Sequence, residues 1–161
     1  MKISKKTDYA LRALCDLAEC YGKDPIPLRE LAEKRGIPKR FLEHIMLYMK
    51  EKKWVASVPG KYGGYVLACP PEEITLGEVV RHFDGILAPI GCVSVTQYQC
   101  CAEEKSCKFR PLMADIRDFV AKQMDSTTLR SIIEGAPMLP GPPESYQNER
   151  KQRKPSERMG L

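Results

Sequence analysis

Four of the chain's seven cysteines, Cys92, Cys100, Cys101 and Cys107, fall within 16 residues. Thiolates are soft donors, so such a group either binds a soft metal or does redox chemistry. Structural zinc sites pair their ligands as CxxC, and this stretch has no such pair. The spacing Cys92-x8-Cys101-x5-Cys107, with Cys100 as a less favoured substitute for Cys101, lets an irregular loop wrap something larger than one ion. An iron–sulfur cluster, [2Fe–2S] or [4Fe–4S], suits that arrangement. Zinc and free or redox-active thiols are the other chemistries these residues allow. Cys15, Cys20 and Cys69 stand apart and read as small buried apolar residues. With no Gly-rich phosphate loop, no nucleophile beside a base and only two histidines, the chain does not read as an enzyme. His82 reads as a surface residue at a helix end.

A second chemical feature is a helix expected over 38–53. On a wheel at about 100° per residue, Phe41, Leu42, Ile45, Met46, Tyr48 and Met49 fill one arc. Lys39, Arg40, Glu43, His44 and Lys50 fill the other, with Leu47 the one apolar residue among them. Such a helix buries one face and offers the other to a partner. Lys39 and Arg40 suit phosphate clamps, and His44 can touch a phosphate too. Glu43 can accept from cytosine N4. Arg29, at the start of the preceding helix, joins this DNA-facing set.

The scaffold around these residues is legible. Leu11, Leu14, Leu17, Ala18 and Tyr21 recur on one face of a helix over 7–21, which Gly22 and Pro25 end. A short helix over 28–34 stops at Gly36, and Pro38 opens the next, giving a helix-turn-helix. Residues 54–58 and 65–68 read as strands around the turn Pro59-Gly60-Lys61-Tyr62-Gly63-Gly64, with Trp54 anchoring the hairpin to the core. Lys61 and Tyr62 sit at its tip, where a wing reaches DNA. Thr75 and Glu78 form a capping box for a short helix ending near Phe83. A helix over 111–123 carries Leu112, Met113, Ile116, Phe119 and Val120 on one face. After an interruption at 125–128, Leu129, Ile132 and Ile133 resume the stripe. So much unmatched apolar surface predicts a dimerisation helix.

The expected fold is therefore mainly α: a winged helix-turn-helix domain (1–68), a connector with a short helix (69–85), a cysteine-rich loop (86–110), a long dimerisation helix (111–134) and a disordered tail (135–161). Charge follows the same division. Residues 1–68 carry 14 Lys/Arg against 8 Asp/Glu, residues 69–139 carry 7 against 10, and residues 140–161 carry 5 against 3. A basic first part and an acidic second suit nucleic-acid binding followed by another task. No run approaches the roughly 18 apolar residues of a membrane span. The N-terminus MKISKKTDYALRAL lacks a signal peptide's apolar stretch, which predicts a cytoplasmic protein with reduced thiols.

Four segments in order, KKTDYALRAL at 5–14, LRELAEKRGIPKRFLEHIM at 28–46, VPGKYGGYVLA at 58–68 and the three-cysteine loop at 92–107, resemble the IscR/NsrR/RirA type of bacterial regulators. The resemblance spans residues 1–134. It implies a homodimeric transcription regulator on double-stranded, palindromic operator DNA, with an iron–sulfur cluster sensing iron, redox state or nitric oxide. It implies Cys92, Cys101 and Cys107 as ligands, Glu43 as a base reader, and Asp8 as an aspartate that some relatives supply across the dimer. A histidine that others place three residues after the last cysteine is Arg110 here, and a wing arginine of several relatives is Pro59. A cluster-free thiol switch or protein-partnered repressor is the alternative, and an iron–sulfur or zinc enzyme a distant one.

Overall fold

A computed structural model describes residues 2–135. The order is α1 (Lys5–Glu19), α2 (Leu28–Arg35), α3 (Lys39–Glu51), β1 (Val55–Val58), β2 (Gly64–Leu67), α4 (Leu76–Asp84), α5 (Arg110–Ser126) and α6 (Leu129–Ile133). The expected mainly helical winged helix-turn-helix is present. The tail expected to be disordered lies, from residue 136 onward, outside the described residues.

Local chemistry explains the element ends. Ser4 caps α1, its hydroxyl accepting from the Thr7 N–H. Gly36 closes α2 in the left-handed region at φ 62°, which frees the chain to turn into α3. Thr75 and Glu78 make the reciprocal capping box on α4. In the wing, β1 and β2 pair antiparallel with Val55 opposite Leu67 and Val58 opposite Gly64. The β2 edge is bridged by Ile26, whose N–H donates to the Tyr65 carbonyl and whose carbonyl accepts in return. That approach is why position 64 is glycine, since a Cβ there would collide with the Ile26 carbonyl.

One core joins these parts. Leu14 and Leu17 of α1, Leu31 of α2, Leu42, Ile45, Met46 and Met49 of α3, Val79 of α4 and Leu129 of α6 are all buried. Each such side chain contributes roughly 1.5–3 kcal/mol of transfer free energy. Trp54 is buried and fixes the base of the wing, as its position implied.

The structure also changes several expectations. Phe41 and Tyr48, placed on the buried arc of α3, lie at its edges and keep about two-fifths of their surface exposed. Phe41 packs edge-on against Tyr9 with ring centroids 5.8 Å apart. Tyr21 falls past the end of α1 and is exposed. Cys15, Cys20 and Cys69 are half-buried, not fully buried. The apolar stripe after α5 divides: Thr127 leaves the helix, Thr128 caps α6, and Leu129 is fully buried in the shared core against α1. Backbone bonds Leu76 N–H to Thr127 O (2.9 Å) and Leu129 N–H to Ile74 O (3.0 Å) stitch that return in place. Only α5 itself remains without buried side chains, with Leu112, Ile116 and Phe119 exposed.

Candidate nucleic-acid interface and cysteine cleft

The helix-turn-helix is held rigidly before it meets any partner. Asp16 on α1 has no exposed side-chain surface, and Arg35 and Lys34 at the end of α2 both reach it. Burial alone would raise the Asp16 carboxyl. The hydrogen bonds and positive charges of Arg35 and Lys34 prevail and hold it below the usual carboxylate range. This fixes the angle between α1 and α2, and through the Gly36 turn the placement of α3.

With its apolar side sunk in the core, α3 presents Lys39, Arg40 and His44 to solvent, while Glu43 is half-buried. Arg29, on the exposed side of α2, pairs with Glu33 at 2.7 Å. At the wing tip Lys61 and Tyr62 are exposed, Tyr62 by 82%, with the Lys61 ammonium 5.5 Å from the Tyr62 ring. Lys50 Nζ donates to Ser57 Oγ at 2.9 Å, tying the end of α3 to the wing. The seven residues expected to face DNA therefore fall on α2, α3 and the wing tip. A cleft of about 480 Å³ beside them is lined by Lys5, Tyr9, Pro38, Arg40, Phe41 and His44. Lys5 and Tyr9 were not singled out in the sequence, because their nearness to α3 comes from packing and not from spacing.

His82 lies in the last turn of α4, as expected, but is half-buried among Tyr48, Trp54 and Phe83, with ring centroids 6.3, 5.3 and 4.9 Å away. Its Nε2 is buried without a hydrogen-bond partner. Burial, helped by the nearby charge of Lys52, pushes the imidazole below its ordinary value. Lys6 Nζ caps this cluster 3.5 Å above the Tyr48 ring. Spacing along α4 could not show this, because Tyr48 and Trp54 come from α3 and the base of the wing.

The cysteine loop forms a separate site. Cys92, Cys100, Cys101 and Cys107 all line one cleft of about 720 Å³, with Ile90, Gly91 and Phe109 among its apolar walls. Cys92 is buried in a 3-10 turn (Gly91–Val93), Cys107 is half-buried, and Cys100 and Cys101 are exposed. Soft thiolates around a partly apolar recess fit an iron–sulfur group in donor type and room. Among the described residues no three His, Cys, Asp or Glu side chains are placed to hold a single ion. Asp8 does not line this cleft; it pairs with Arg12 on its own helix at 2.9 Å. Cys15 and Cys69 are outside it too, and burial raises both thiols, which makes them poor nucleophiles.

Two arginines of α5 grip the cleft. Arg110 Nη2 donates to the Cys92 carbonyl at 3.2 Å and pairs with Glu104 at 2.6 Å. Arg117 Nη1 donates to the Val93 carbonyl at 2.7 Å. Glu104 in turn accepts from the Tyr98 hydroxyl. A further bidentate pair, Arg81 to Asp125 at 2.6 and 2.7 Å, joins α4 to α5. The cysteine turn, α5 and α4 are thus linked by directional bonds.

Comparison with known proteins gives the family and the fold. The family described as Rrf2, iron-dependent transcriptional regulator, matches residues 3–135. A rrf2-like HTH-type transcriptional regulator of Rhodobacter capsulatus is 38% identical over 137 residues, covering 81% of this chain and 91% of that protein. The HTH-type transcriptional regulator CymR of Bacillus subtilis is 33% identical over 146 residues, 91% of this chain and 97% of the relative. The solved structure of CymR, described as the global cysteine regulator of B. subtilis, superposes with TM-score 0.73 at 31% identity, over 85% of this chain and 99% of that one. That of T. potens IscR gives TM-score 0.65 at 27% identity, over 91% and 96%. The family match, the relatives and the fold place the chain as a transcriptional regulator and not an enzyme, and it belongs to the Rrf2 family.

Proposed function

We propose that this regulator is a homodimer, joined through α5, that binds a palindromic DNA duplex with α3 and the wing of each subunit. Its affinity is set by an iron–sulfur cluster held by Cys92, Cys101 and Cys107. The observation that carries the cluster is the convergence of these cysteines on one cleft beside the start of α5. The group supplies a centre whose loss, oxidation or modification is a chemical signal. Everything else is done by the chain. Arg110 and Arg117 couple the Cys92 turn to α5, so a change in the turn is passed to the dimer helix and to the spacing of the two recognition helices. Lys39, Arg40, His44, Arg29, Lys61 and Tyr62 take backbone contacts, and Glu43 reads a base.

Arg110 cannot be a fourth ligand, because its guanidinium has no lone pair to give. Asp8 lies outside its own chain's cleft, so it serves only as Asp8 of the partner subunit, a harder and more easily displaced donor than a thiolate. Visible absorbance together with iron and sulfide content, measured on protein purified without oxygen, tests this. Loss of the spectrum is expected in Cys92→Ala, Cys101→Ala and Cys107→Ala, and retention in Cys100→Ala. In Asp8→Ala the spectrum should bleach faster under chelator, with the dimer intact.

The second reading, a cluster-free thiol switch, is favoured by the exposure of the adjacent Cys100 and Cys101 and by the likeness to CymR. Under it the protein carries no iron or sulfide, and its DNA affinity follows the thiol oxidation state.

A further inference from the structure

We propose that Leu47 is a specificity-determining residue that packs on the C5 methyl group of a thymine in the major groove. The inference rests on the DNA-binding reading above. Leu47 is an apolar side chain on the polar side of α3, and it is 60% exposed. Residues Arg40, Glu43, His44 and Leu47 are spaced i, i+3, i+4 and i+7, which places them in one stripe along the helix. The stripe lies opposite the buried Leu42, Ile45, Met46 and Met49. Leu47 thus shares a face with the residue that can accept from a base and two that can meet phosphate.

Its surroundings narrow the partner. Leu47 lines an open cleft of about 300 Å³ with His44, Tyr48 and Glu51. It can neither donate nor accept a hydrogen bond, so it reads no polar base edge. The apolar feature that bases display in the major groove is the thymine methyl. A protein partner would need a contiguous apolar patch here. Instead Leu47 stands among charged and polar side chains, Glu43, His44, Lys50 and Glu51 within one turn of it and Arg40 further along the same face, and of these Arg40, His44 and Lys50 can meet phosphate.

The test uses a duplex selected by the wild-type protein from a random pool, with each thymine replaced in turn by deoxyuridine. Uracil keeps the pairing edge and loses only the methyl group. At one position in each half-site the wild type should lose roughly fourfold in affinity, the worth of one buried methyl-sized group. Leu47→Ala should bind the thymine duplex more weakly by a similar factor and be indifferent to that methyl. Since Leu47 is exposed, an unchanged melting curve for the variant checks its fold. A wild type indifferent to every replacement, or a variant keeping the same methyl dependence, overturns the inference while leaving DNA binding intact. Loss of the dimer in Leu47→Ala without a change in methyl dependence also overturns it, assigning the residue to a protein interface. Absence of salt-dependent binding to any duplex would instead sink the reading on which it rests.

Discussion

Asp16 accepts two hydrogen bonds from the Arg35 guanidinium, Nε to Oδ2 at 2.7 Å and Nη2 to Oδ1 at 2.6 Å, while its own side chain is wholly buried. Removing Arg35 leaves a buried carboxylate with only Lys34 to answer it. Arg35→Ala should therefore cost about 2–3 kcal/mol, less than the roughly 3–5 kcal/mol of a pair broken in a closed interior, because Lys34 remains. Denaturant unfolding measures this. The Asp16 carboxyl is lowered in the fold, so its contribution is present above the ordinary value of 3.8 and is lost as pH falls through the folded value. Asp16→Asn should flatten that acid limb.

His82 gives the second pH effect, of the same sign and in a higher pH window. The imidazole is lowered from 6.5 by burial first and by the charge of Lys52 next, against a backbone hydrogen bond at Tyr48 and the charge of Glu51. The unfolded chain thus takes up the proton before the fold does. Stability is complete above about 6.5 and declines as pH falls below it, until the folded histidine is protonated too. His82→Phe should remove that decline while keeping the packing against Tyr48 and Trp54. An identical decline of the melting temperature in both proteins between pH 7 and 5 would show that His82 is not its source.

DNA contacts separate by their salt response. Lys39→Ala with Arg40→Ala should weaken binding to every duplex and lower the slope of log affinity against log salt by about 2. Glu43→Ala should leave the slope alone and relax base preference, by roughly 1–3 kcal/mol at one position. Titrations at four or five salt concentrations distinguish the two. Equal slopes in all variants would remove α3 from the interface.

The dimer prediction concerns α5. Ile116→Asp should give a monomer by light scattering at micromolar concentration, because it places an unpaired charge at the crossing. Its melting temperature should fall little, since α5 buries no side chain within the chain. A dimeric variant would move the interface elsewhere.

The sequence made some elements plain and hid others for physical reasons. Caps and breakers are local, so Gly36, Thr75 and Glu78 marked their helix ends correctly. The period of α3 found its buried Leu42, Ile45, Met46 and Met49, but an arc drawn on a wheel has no edges of known depth, and Phe41 and Tyr48 fell outside the core. The cysteine loop was visible in composition, and its cleft gathers the same four residues. What spacing could not reveal were contacts between distant segments. Asp16 with Arg35, Arg110 with the Cys92 carbonyl, and His82 among Trp54 and Tyr48 depend on how helices cross. Leu129 likewise continued the α5 stripe on paper, yet the backbone turns at Thr127 and returns it to the core.

The cysteine cleft should control affinity for DNA. The most direct measurement compares binding of one selected duplex by protein purified without oxygen, before and after its iron is removed with a chelator, at fixed salt. A change of at least about fivefold is expected, the lower end of ordinary coupling between sites. No such change is expected in Cys92→Ala or Cys107→Ala, which should behave alike with and without treatment. Equal affinity of the treated and untreated wild type, in preparations whose iron and sulfide content differ, would contradict it.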